Sequence, residues 1–438
     1  MDCFVSALLA MTEEEESSMD TLTTDWTAVG EAELPDVITL RRAIHADPEI
    51  GLDCRRTTAK IKAALAGLPL ELREGPSTSG LVAILRGGRT GAGSNTRTVL
   101  LRGDMDALPM EEETGLPFAS RVPGAMHACG HDAHTAMLVG AARALCARRE
   151  ELPGTVAFMF QPGEEGYAGA RHMLDDGLLD DVLPGRRPDA AFALHIWPNM
   201  PRGLVASRPG PLLALADTLS ATITGRGGHA AMPHENLDPI PVACEIVSAL
   251  QALIARTVPA TDPAVLSITK IEAGSANNII PSSVELLGTL RTLSEERRAA
   301  LREAFVRIVH HVAAAHGMTG EGRVEDGYPV TRNDPRAFDF VRRCAEGMGD
   351  WQEIPAPIMG AEDFAFVLKE IPGAFAILGT APEGIDPASA PPLHNTRMTL
   401  DEATMAKGVA LHCTFAERFL AGGFDRAPSV IPAKAGTQ

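Results

Sequence analysis

Short apolar runs, each too brief for a helix and several leading into acids or a histidine, set the strongest limit on what this chain can fold into. TVLLRGDMD (98–106) leads into Asp104 and Asp106, TVAFMFQP (155–162) into Glu164 and Glu165, and AAFALHI (190–196) carries His195 near its end. LVAILRG (81–87) is a further run of this kind, set off from 98–106 by the Gly-rich turn GGRTGAGSNT. Between them lie helical stretches: 34–68, broken at Asp47-Pro48, and 133–149, rich in Ala and Leu. Strand and helix in alternation predict an α/β fold, with a mostly parallel sheet covered by helices on both faces. In such a sheet ligands collect at the carboxyl ends of the strands.

The pattern then changes. A strand is expected at 216–225, a helix at 239–256, strands at 264–273 and 283–292, a long helix at 294–316 and a strand at 319–328. This βαββαβ order predicts a small ferredoxin-like sandwich inserted into the first unit. Beyond it the first pattern resumes with helices at 335–347 and 362–370, a strand at 373–379 and a helix at 401–420. The 438 residues exceed what one core ordinarily serves. The division expected is a flexible leader at 1–33, a catalytic domain at 34–213 and 331–422, the inserted domain at 214–330 and a flexible tail at 423–438.

Charge and cysteine usage narrow the function classes. A formal net charge of −18 repels phosphate backbones and anionic lipid surfaces, so neither nucleic acid nor a membrane is an expected partner. No run approaches the roughly 20 apolar residues of a membrane span. The start MDCFVSALLAM lacks a basic segment and does not read as a secretion signal. Seven scattered cysteines without a CxxC pair suit reduced thiols, and the expected location is the cytoplasm.

The chemistry lies in the residues able to bind metal. Cys129, His131 and His134 stand in MHACGHDAH, Glu164 and Glu165 in FQPGEEG, His195 in FALHI and His394 in PPLHN. Two divalent ions need imidazoles, carboxylates or a thiolate, plus one bridging anion. A neighbouring carboxylate must stay free to take a proton from water. Glu164-Glu165 can supply one ligand and one base, and Asp106 can hold a ligand histidine by its second nitrogen. His134, on the first turn of a helix, is given no ligand role. Each piece alone has a plainer reading: a core cysteine, a solvated acidic pair, a satisfied buried histidine.

Together the motifs RGDMDALPMEE, MHACGHDAHTAMLVGAA, FQPGEEGYAGAR, FALHIWP, GRGGHAAMPH, ANNIIP, GTLRT, MGAEDFAF and LHN resemble one family. It is the hippurate hydrolase, N-acyl-amino-acid amidohydrolase and indole-acetyl-amino-acid hydrolase branch of the aminoacylase–carboxypeptidase G metallopeptidases. The resemblance covers the chain from about residue 34 to 420. It implies that Cys129 bridges two metal ions and that His131, Glu165, His195 and His394 complete the ligand set. It implies that Glu164 is the general base, that Asp106 supports the ligands, and that His229 reaches a partner subunit's site to stabilise the oxyanion. Asn278 and Arg291 would hold the substrate's carboxylate. The metals implied are Zn or Mn, with Co or Ni able to serve, and the inserted domain would be a lid that makes a homodimer.

The expected activity is hydrolysis of N-acyl amino acids to a carboxylic acid and a free amino acid. A dipeptidase or carboxypeptidase of the same family is the alternative, and a non-catalytic binder of acyl amino acids is a third reading. Gly163, where the branch commonly has Ala, and Ile279, where Val is usual, depart from the pattern without touching an expected ligand.

Overall fold

Residues 24–89 and 97–425 are described in a computed structural model of the chain. Helices α1 (Trp26–His45) and α2 (Arg55–Ala64) lead into strands β1 (Leu70–Glu74), β2 (Leu81–Arg86) and β3 (Thr98–Asp104). Then come α3 (His131–Ala147), β4 (Thr155–Gln161), α4 (Gly169–Asp175), β5 (Ala190–Trp197), β6 (Val205–Ser207) and β7 (Gly210–Leu213). The next stretch holds β8 (Leu215–Thr224), β9 (Gly228–His229), α5 (Pro239–Thr257), β10 (Ala264–Ala273), β11 (Ile279–Ile280), β12 (Ser283–Thr292), α6 (Glu295–Ala315) and β13 (Thr319–Tyr328). The chain closes with β14 (Thr331–Asn333), α7 (Pro335–Glu346), β15 (Trp351–Glu353), α8 (Ala365–Glu370), β16 (Gly373–Gly379) and α9 (Met405–Gly422).

The larger sheet has eight strands in the order β1-β2-β4-β3-β5-β16-β6-β15. Its centre, β4-β3-β5-β16, is parallel. Every residue of β3, β4 and β16 is buried, which is why these strands read as unbroken apolar runs rather than alternating ones. One face packs on α1, α3 and α9 through a core that includes Leu101, Phe158, Phe192, Leu138 and Phe415. The other face packs on α4 and α8 through Leu100, Met159, Met173, Phe364 and Phe375. Each such side chain contributes about 1.5–3 kcal/mol on leaving water. Pairing of Asp104 with Gln161 across β3 and β4 aligns the carboxyl ends of these strands, and β5 runs in the same direction.

Strands β10, β12, β8 and β13 form a separate antiparallel sheet in that order. Numbered within the unit, this is second-third-first-fourth. The strict alternation of burial along β8 and β12 shows a sheet with one covered face, and α5 and α6 cover it through Leu219, Ile223, Ile246, Leu250, Phe305 and Val309. Asp238 caps α5 by accepting from Ile240 N–H, with Pro239 at the first helical position.

Several expectations need correction. Helix α1 starts at Trp26, so 24–33 are not part of a leader. The indole N–H of Trp26 donates to Glu417 Oε2 (2.8 Å), docking the start of α1 on α9. Phe424 in the expected tail packs on Phe340 and Phe419. The rest of the leader and tail, and most of the Gly-rich turn, lie outside the described residues. Strands β1, β6, β7, β14 and β15 and helix α4 were not anticipated; each is short. Among the described residues one helix, Pro239–Thr257, is long and apolar enough to cross a membrane, although no such run was expected. In the fold it lies against the four-stranded sheet.

Candidate metal centre

Gly130 is the residue that aims Cys129 and His131. It sits at φ 84°, where L side chains are strained, and a Cβ there would lie 2.5 Å from the Ile196 side chain. The chain turns through it directly into α3, so Cys129 and His131 flank the turn at the carboxyl end of the sheet. Both are buried. His195 comes from β5. Its Nδ1 lies 2.6 Å from the carbonyl of Ile196, which can only accept, so that nitrogen carries the proton and Nε2 keeps its lone pair. Nε2 lies 3.5 Å from Cys129 Sγ.

His134 is fully used inside the protein. Ile196 N–H donates to its Nε2 (2.8 Å), so Nδ1 bears the proton and donates to Asp104 Oδ1 (2.6 Å). No nitrogen is left for a ligand. Asp104 also takes the Arg102 guanidinium at 2.7 Å.

Asp106 fixes the loop after β4. Its Oδ1 accepts Glu164 N–H (3.0 Å) and its Oδ2 accepts Glu165 N–H (3.1 Å). The same Oδ1 stands 3.4 Å from His131 Nδ1. One carboxylate therefore sets the two glutamates and the imidazole together. His394 Nε2 lies 3.1 Å from Glu165 Oε1, and the His394 side chain is 53% exposed. His394 adopts φ 63°.

These groups fit a pair of cations. Ligand atoms of Cys129, His131 and His195 lie within 4.8 Å of one another, as do those of Cys129, Glu165 and His394. Cys129 is common to both sets. His131 Nε2 is buried without a hydrogen-bond partner, which is costly unless something else occupies it. The local field is negative. Burial works against a charged His131, yet Asp104, Asp106 and Glu165 lift its pKa to about 10. Burial and the neighbouring Glu165 and Glu164 push the Cys129 thiol up, and burial with Glu362, Glu165 and Asp363 pushes Glu164 up. Cations would relieve all three.

The groups open onto a cleft of about 650 Å³. Its walls include Trp197, Leu213 and Phe375 from the larger unit and Asp217, Arg291 and Tyr328 from the smaller sheet. Arg291 donates through Nε to Thr289 Oγ1 (3.3 Å), and no carboxylate among the described residues pairs with it. The carbonyl of Asn278 accepts Ala230 N–H (3.1 Å), and the next residue, Ile279, pairs with His229 across β11 and β9. Neither His229, which is exposed, nor Asn278 lines this chain's cleft. Asn278 stands beside the β9–β11 ribbon, a separate two-stranded piece, whereas Arg291 lies in β12 of the four-stranded sheet.

Sequence reasoning missed a buried ionic platform beside Glu164. Arg102 bridges Asp104, Glu362 (2.8 Å) and Asp363 (3.1 Å). Gln161 donates to both Asp363 oxygens (2.7 and 2.8 Å), and Asp363 N–H approaches Glu164 Oε1 (3.4 Å). Only the acidic pair in MGAEDFAF signalled it.

The model of the peptidase family M20/M25/M40 matches residues 100–418. The chain is 38% identical over 371 residues to the N-acetylcysteine deacetylase of Bacillus subtilis, covering 84% of this chain and 93% of that protein. It is 36% identical over 387 residues to thermostable carboxypeptidase 1 of Saccharolobus solfataricus, covering 87% and 95% respectively. Among solved structures, the YXEP protein of Bacillus subtilis, described as a dinuclear metal binding peptidase of the M20 family, superposes with a TM-score of 0.74 at 35% identity. That match covers 89% of this chain and 99% of the other.

Proposed function

The chain belongs to peptidase family M20/M25/M40, and we propose that it is the metal-dependent hydrolase of an N-acyl amino acid, hippurate-like in form, yielding a carboxylic acid and a free amino acid. The observation that carries this reading is Cys129 shared between two ligand triplets beside Glu164. In it, Cys129, His131, Glu165, His195 and His394 hold two divalent ions; a thiolate among imidazoles suits Zn, and Mn, Co or Ni could also serve. Bound there, the ions would supply Lewis acidity at the amide carbonyl and lower the pKa of water. Glu164 takes the proton of the attacking water and returns it to the leaving amine. Asp106 keeps the two glutamates in register with His131. Arg291 donates to the amino acid's carboxylate in a fork. The exposed His229 completes the site of a second copy and stabilises the oxyanion, Asn278 joins Arg291 in holding the substrate's carboxylate, and the unit at 214–330 serves as lid and dimer contact. Free thiols suit a reducing, cytoplasmic setting.

The test is release of free amino acid from a panel of N-acyl amino acids and dipeptides, with and without chelator. Chelator-sensitive cleavage of acyl amino acids is expected. Preference for dipeptides would favour the second reading, which the similarity to a carboxypeptidase supports. Glu164→Ala should abolish turnover with metal content unchanged; retained turnover would remove Glu164 as base.

A further inference from the structure

The loop that carries Glu164 is held from the other unit as well. Tyr328, the last residue of β13, donates its hydroxyl proton to the carbonyl of Glu164 (2.5 Å), and the Tyr328 hydroxyl oxygen accepts Ala168 N–H (3.2 Å). Ala168 sits at φ 54°, an unusual conformation for a residue with a Cβ, so this turn needs support from outside itself. Burial pushes the phenol's pKa up, which keeps the proton on it.

The smaller sheet is shaped to deliver this side chain. The β13–β8 register shifts between Glu325 and Tyr328, the mark of a bulge that re-aims a strand's end. A Cβ on Gly327 would fall 1.8 Å from Ala216 O, so only glycine lets the strands close there. Gly327 N–H donates to the buried Asp217 (3.1 Å), which Arg298 anchors at 2.6 and 2.9 Å. The carbonyl of Asp217 accepts Thr289 Oγ1 (3.2 Å), the group that receives Arg291 Nε.

We propose that Tyr328 is a positioning residue: its hydroxyl clamps the 164–168 turn to the end of β13, so that the smaller sheet sets where the base stands relative to Arg291. This rests on the hydrolase reading for its kinetic consequence, though not for its structural one.

Tyr328→Phe keeps the ring against Phe366 (6.0 Å between centroids) and removes the hydroxyl. With hippurate and N-acetyl-L-cysteine as substrates, kcat should fall about 10- to 100-fold, as misplacement by an ångström does. KM should change by less than about twofold. The thermal midpoint should fall by no more than the loss of these hydrogen bonds allows, and metal content should stay at the parental value. On the metal-loaded protein, deuterium uptake in a peptide spanning 163–169 should rise in the variant. Parental kcat with unchanged uptake would overturn the clamp, because a ring needed only for packing survives in Phe. A rise in KM alone would make the hydroxyl a substrate contact and also overturn it. Should the parent cleave neither substrate, the functional reading fails separately, and the uptake measurement decides the clamp: increased uptake supports it, parental uptake overturns it.

Discussion

Replacing Asp106 with Asn is the sharpest test of how the centre is built, because it changes one atom and no volume. Both carboxylate oxygens of Asp106 accept: Oδ1 from Glu164 N–H and Oδ2 from Glu165 N–H, with His131 Nδ1 3.4 Å from Oδ1. An amide has only one oxygen. Whichever way it is placed, its NH₂ faces a backbone N–H. Keeping the oxygen beside His131 and Glu164 N–H leaves Glu165 N–H against a donor. A lost hydrogen bond to a charged acceptor is worth about 1.5–3 kcal/mol. Carboxylates behind metal-binding histidines change affinity by about 10- to 100-fold, or roughly 1.4–2.7 kcal/mol, and the two figures agree. Competition against a fluorescent chelator should show that loss, and excess metal should restore part of the activity. Parental metal affinity in Asp106→Asn would refute the reasoning, since it would mean that the position of Glu165 does not depend on this carboxylate.

Gly30→Ala should destabilise the protein by about 1–3 kcal/mol, read as a lowered thermal midpoint. An ordinary helix gains about 1 kcal/mol from this change, but here the new Cβ would meet Ala406 O at 2.2 Å; a raised midpoint would contradict the α1–α9 packing. Glu112 is buried against its own ionisation, yet hydrogen bonds from His45, Thr114 and Ser120 N–H outweigh this and hold its pKa at about 2. Its folded value lies below the unfolded one, so it stabilises above about pH 4.3 and that contribution is lost as pH falls towards 2. Glu112→Gln should remove this part of the acid limb in a series of melting curves.

Among the elements that the sequence disclosed, β8 and β12 alternate in burial and β3, β4 and β16 are buried throughout. Strands β10, β12 and β13 fell on their expected residues, and β8 within one residue at each end, because each runs ten residues beside the helical stretches α5 and α6. Strand β1, LELRE, was invisible because its residues are exposed or half-buried at the sheet's edge. The start of α1 was hidden because Trp26 and Gly30, not an apolar stripe, do the docking. At the site, Cys129, His131, Glu165, His195 and His394 were readable from motifs and strand ends, and the fold brings them together. The Arg102 platform and the Tyr328 clamp were not, since their partners lie 260 and 164 positions away along the chain and no local pattern joins them.

His394 differs from the other proposed ligands in how it is held. Cys129, His131 and His195 are fixed in the interior and Glu165 is nearly so, whereas the His394 imidazole is half in water on a backbone wound to φ 63°. If these five residues hold cations, four of the donors stand ready in or near the interior, and His394 is the one donor that a cation arriving from solvent would meet at the surface.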